Sequence, residues 1–169
     1  ATGEALPEDY SFAFRTQGQG EGRDAFYLSG ELTESFLTGD PVMVEMINHY
    51  PSDWLAAGPT FDITLYALES AEQYLALAAE HEAHVHPILG RTTDYHLETQ
   101  GLRAAVTYES QLMNRDYRYF AVLPENPGAG YYLIDIRPQG PDAPSGMVIQ
   151  KLVCVSDISV WMQSLDGQT

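Results

Sequence analysis

Apolar and polar residues alternate with a period of two along much of this chain. Phe12 and Phe14 alternate with Ser11, Ala13 and Arg15, and Phe61, Ile63 and Leu65 alternate with Asp62, Thr64 and Tyr66. Such alternation marks strands with one face on a core. Tyr95, Leu97 and Thr99 repeat the pattern, and Leu102, Ala104, Val106 and Tyr108 resume it beyond Gln100-Gly101. That arrangement predicts a hairpin. Further strands are predicted at residues 24–28, 31–37, 117–123, 131–137 and 147–155, with proline- and glycine-rich loops at 124–130 and 138–146.

The helical signals are fewer. Asp40-Pro41 combines a capping side chain with a proline suited to the first helical position, which predicts a helix from Val42 to Tyr50 that stops before Pro51. Ser52 to Leu55 adds one turn. Ser70 followed by Gln73 is a capping-box pattern that opens a helix rich in alanine, leucine and glutamate and closed by Pro87. At 100° per residue, Tyr74, Leu77, Ala78, His81 and Val85 share a stripe that faces the core. Ser156 caps a short terminal helix carrying Ile158, Val160, Trp161 and Leu165.

These elements give an α+β fold. The expectation is a single domain over residues 1–169 with an antiparallel β-meander at about residues 93–155. A main helix near 70–86, a shorter helix near 41–50 and a short C-terminal helix complete it. A chain of this length buries roughly 70% of its unfolded surface and needs neither metal nor disulfide to hold a core. The only cysteine, Cys154, lies in the apolar run 152–155 and is read as a structural thiol.

Charge changes the picture more than composition does. Aspartate and glutamate number 24 against 8 lysines and arginines, a net charge of −16. The excess is concentrated before residue 101, where only Arg15, Arg23 and Arg91 are basic. Nucleic acid and anionic membrane surfaces repel such a protein, so neither is expected as a direct partner. A basic protein is expected instead. The chain starts at Ala1, which leaves an exported mature form open beside the cytoplasmic location otherwise expected. Oligomeric state is left open.

The candidate chemistry is sparse. His81, His84 and His86 fall within six residues, and two imidazoles three apart on a helix can share zinc. The segment is one residue short of the His-Glu-x-x-His pattern, and an imidazolium at a helix end also complements the macrodipole. Gly18, Gly20 and Gly22 read as a hairpin turn rather than a phosphate cradle, because Glu21 places a negative charge among them. Arg115-Asp116-Tyr117-Arg118-Tyr119 combines residues that stack bases, but the overall charge favours a protein contact or plain sheet packing.

The function expected on these grounds is a non-catalytic acidic binding protein without cofactor. It would act as an inhibitor, of the immunity-protein or antitoxin kind, occluding a basic partner such as an enzyme that acts on nucleic acid. Glu31, Glu34, Asp40, Glu45 and Asp53 supply the field, and Tyr50 and Trp54 the aromatic anchors. The alternative is a metal-assisted hydrolase built on His81 and His84, with His86 as a third ligand and zinc as the cofactor.

Overall fold

The computed structural model describes residues 26–28, 32–48, 52–84, 95–144 and 146–157. In chain order these form β1 (Tyr27–Leu28), β2 (Thr33–Leu37), β3 (Met43–Ile47), α1 (Asp53–Ala56), β4 (Thr60–Leu68), α2 (Ala71–Glu82), β5 (Arg103–Gln111), β6 (Met113–Arg115), β7 (Arg118–Val122), β8 (Gly130–Pro138) and β9 (Ile149–Ser156). The fold is mixed α+β and dominated by sheet. One sheet has the order β1-β3-β7-β6 and the other β2-β9-β8-β4-β5. All neighbours are antiparallel except β2 and β9, which run parallel.

Alternation along the strands builds three layers. Val44 and Met46 of β3, with Tyr119 and Ala121 of β7, face Phe61, Ile63 and Leu65 of β4 and Ile134, Ile136, Val153 and Val155 of β8 and β9 in one core between the sheets. Tyr108 ties the two sheets together by donating its hydroxyl to the Val122 carbonyl at 3.1 Å. Burial pushes its pKa up to about 12. The opposite face of the five-stranded sheet presents Leu68, Leu133 and Leu152, and these are covered by Tyr74, Leu77 and Ala78 of α2 together with Tyr95, Leu97 and Leu102.

Two expectations are corrected. The helix near 41–50 is a strand where it is described, because Val42, Val44 and Met46 are fully buried while Met43, Glu45 and Ile47 point away from the core. The Asp40-Pro41 pair lies in a turn instead. There the Asp40 amide donates to the Leu37 carbonyl, and Gly39 takes a φ of +96° that favours glycine. The meander over 93–155 is also broken up. Tyr95 to Thr99 form no strand, and β5 pairs with β4, while β6 and β7 form a hairpin in the other sheet. Of the strands in that region, β8 and β9 pair as consecutive neighbours in the five-stranded sheet, as a meander requires.

The main helix forms where its N-terminal cap dictates but ends at Glu82, with Ala83 and His84 in a turn, short of the expected residue 86. The Ser70 hydroxyl accepts from the Gln73 amide at 3.3 Å, and the Gln73 side chain accepts from the Glu69 amide at 2.7 Å. The turn at residues 52–55 forms as α1, capped by the Ser52 hydroxyl. No helix of the described residues is long and apolar enough to cross a membrane. Residues 12–15, the glycine run at 17–22, Val85, His86 and the expected C-terminal helix lie outside the described residues.

Candidate functional site

The outermost layer carries the most distinctive surface. On α2, Tyr74, Leu77, Ala78 and His81 are half-buried toward the sheet, as their stripe requires. The opposite side exposes Glu72, Leu75, Ala76, Ala79 and Glu82, with Glu80 beside them. Leu75 is 62% exposed, unusual for a leucine on a helix already packed against a sheet. Residues 69–84 contain Glu69, Glu72, Glu80 and Glu82 but neither lysine nor arginine. A hydrogen bond from the Ser70 hydroxyl holds the Glu72 carboxyl below its ordinary pKa, which keeps that charge in place.

The segment 95–99 flanks this helix and is fixed by one buried amide. Gln150 of β9 accepts from the Leu97 amide at 2.7 Å and donates to the Leu97 carbonyl at 3.0 Å. Its Nε2 also donates to Asp135 Oδ2 at 2.8 Å, and Asp135 is held in turn by Arg137. Gln150 thus replaces a strand partner for Leu97. Tyr95 then lies against α2, where its hydroxyl donates to Glu80 and its ring stacks on His84 with centroids 3.7 Å apart and planes 2° from parallel. The Glu80 bond, with lesser contributions from burial and from Glu98, raises the Tyr95 pKa to about 12.

This arrangement orients the His84 ring through Tyr95 and the helix backbone. His84 Nδ1 donates to the Glu80 carbonyl at 2.8 Å, which leaves Nε2 as the lone-pair nitrogen of the neutral ring. His81 sits half-buried, with its pKa lowered by burial and further by His84 and His96. Among the described residues, no three His, Cys, Asp or Glu side chains are grouped to hold a metal ion. Cys154 is half-buried and burial raises its thiol pKa, the condition of an unreactive thiol.

The acids picked out from the sequence are dispersed. Asp40 lies in the turn before β3, and Asp53 opens α1. Glu45 lies mid-strand on the outer face of the four-stranded sheet, 3.0 Å from Arg118. Glu34 is in the other sheet, 3.0 Å from the buried Lys151. Trp54 is half-buried and packs edge-on against Phe61, with centroids 5.8 Å apart, so it supports the core. Glu31 and Tyr50 lie outside the described residues.

The sequence assigns no partner-binding role to Glu72, Leu75, Glu80, Glu82 or Glu98. The signal is a helix with three acids, preceded by Glu69, and no lysine or arginine, whose reading stopped at its buried stripe and its histidines. No protein-family model matches the chain, and no curated protein matches it significantly.

Proposed function

We propose that this is a non-catalytic binding protein that docks the outer face of α2 against a cationic protein surface. The observation that carries the reading is Leu75, 62% exposed and bracketed by Glu72 and Glu82 on a helix without a lysine or arginine. An apolar side chain that loses water at the centre of a contact contributes binding energy, while the acids around it set the on-rate and exclude anionic partners. Glu34 and Glu45 add less to this field, since each is engaged by a base.

The finer form of the proposal is an inhibitor of the immunity-protein or antitoxin kind. An enzyme that handles nucleic acid presents a cationic cleft. A convex acidic helix held on a rigid sheet is an electrostatic substitute for its substrate. The metal-assisted hydrolase receives no support of the same kind among the described residues, where no three His, Cys, Asp or Glu side chains are grouped to hold a metal ion.

The test is affinity capture on the immobilised full chain at low and high salt, run beside the E72K/E82K variant. The expected result is a cationic protein retained at low salt, weakened by high salt and lost with the variant. Addition of the full chain should then inhibit that protein's action on nucleic acid. Retention unaffected by E72K/E82K, or retention of acidic proteins alone, would overturn the proposal.

A further inference from the structure

Among the described residues, the four-stranded sheet leaves one face without a covering layer. Its core face carries Val44, Met46, Tyr119 and Ala121. The register places Met43 beside Val122, Glu45 beside Phe120 and Ile47 beside Arg118 on the other face, and Met113 joins Phe120 from the edge strand. Met113 is 61% exposed and Met43 36%. This apolar face is also where two of the chain's few bases lie, since Arg115 pairs in register with Arg118. Glu45 Oε1 is engaged there by Arg118 Nη1 at 3.0 Å.

We propose that the C-terminal segment 158–169 of this chain seats on that face and completes a fourth layer. Three observations select this occupant. The first is the tether. Ser156 pairs with Leu37, its carbonyl accepts from the Thr38 amide at 3.2 Å, and Asp157 accepts from the Thr38 hydroxyl. Five residues after Thr38, the chain has crossed to the four-stranded sheet at Met43. Five residues span at most about 17 Å, so the segment begins within reach of the face it would cover.

The second observation is fit. In helical periodicity Ile158, Trp161, Met162 and Leu165 form one apolar stripe. A twelve-residue helix is about 18 Å long, and a four-stranded sheet five residues tall measures about 14 Å each way. The third is charge. The segment and its tether carry Asp157 and Asp166 and no lysine or arginine. They therefore complement Arg115 and Arg118 rather than the acidic α2 on the far side of the molecule. The acidic α2 remains free for its own partner.

The chain's two tryptophans make the proposal directly measurable. Trp54→Phe keeps a ring against Phe61 and leaves Trp161 as the single reporter. In the full-length W54F protein, Trp161 fluorescence should be blue-shifted and protected several-fold from iodide, independently of protein concentration. Adding M113E, at a position 61% exposed, or R118E should shift the emission to the red and abolish the protection while urea unfolding of the rest of the fold stays cooperative. A solvent-like spectrum in W54F itself would overturn the proposal. So would a blue shift indifferent to M113E and R118E. A blue shift that disappears on dilution would replace it with a second copy of the chain as occupant.

Discussion

Replacing Gln150 should uncouple the outer layer from the sheet. Gln150 is 6% exposed, and its amide serves both backbone groups of Leu97, itself 2% exposed. In Q150A the Leu97 amide and carbonyl lose their partners, and a buried polar group left unsatisfied costs about 1–3 kcal/mol. Water entering along the irregular 95–99 segment recovers part of that, so the net loss should be about 3 kcal/mol. For a chain of this size, that lowers the melting temperature by roughly 6–12 °C. Q150E should cost more. The introduced carboxylate keeps the acceptor for the Leu97 amide but faces the Leu97 carbonyl and the Asp135 carboxylate. The assay is equilibrium urea unfolding of wild type, Q150A and Q150E, with circular dichroism as the readout. A loss below about 1 kcal/mol for Q150A, or equal tolerance of the two variants, would refute the argument that this amide holds the segment.

Other outcomes follow from the same geometry. Tyr95 should titrate near pH 12 in the difference between wild-type and Y95F ultraviolet titrations, and E80Q should bring it back toward its ordinary value; titration near 10 in the wild type would remove the Glu80 bond. His81 has a folded-state pKa below its unfolded value of 6.5, so the unfolded chain binds that proton first and stability falls as pH drops below about 6.5. H81Q should therefore lose less stability than the wild type between about pH 7 and pH 5, and parallel urea curves would contradict this. Lys151, the chain's single lysine, is 2% exposed, so an amine-reactive reagent should modify it only on unfolding; native-state labelling at the rate of a free lysine would contradict its burial. L75A should change stability by no more than about 0.5 kcal/mol while weakening the proposed partner, whereas L133A in the core should cost about 2–5 kcal/mol.

Period-two alternation was a sound guide wherever one face met a core and the other met solvent. β4 shows this best, with Phe61, Ile63 and Leu65 buried and Asp62, Thr64 and Tyr66 only half-buried. It failed at β3 because Met43 and Ile47 are apolar on the outward face too, which hid the alternation behind a capping signal. At 95–99 the alternation was present but the partner was not, since backbone satisfaction came from a glutamine 53 residues away. Pairing partners in general were illegible. Nothing local says that β5 joins β4, or that β2 runs parallel beside β9. The candidate site was half visible: Ser70 and Gln73 located the helix, but its outward acids gained meaning only once the buried side was known.

The division of charge along the chain does not survive as a division in space. β4, from the acidic first part, lies between β5 and β8 of the nearly neutral second part, and β2 lies beside β9. What does separate is charge by layer. Helix α2 exposes acids without a lysine or arginine among them, while the outward face of the four-stranded sheet gathers Arg115 and Arg118 among methionine and phenylalanine side chains. Screening acts over about 8 Å at physiological ionic strength, so faces on opposite sides of a three-layer fold act almost independently. Each of the two proposed contacts therefore follows its own electrostatic rule. The acidic helix gains from a cationic surface and loses that gain with salt. The arginine-bearing sheet face depends mainly on removing apolar area from water, which salt leaves nearly untouched. A salt series that weakens partner capture while leaving the Trp161 environment unchanged would follow from that separation alone.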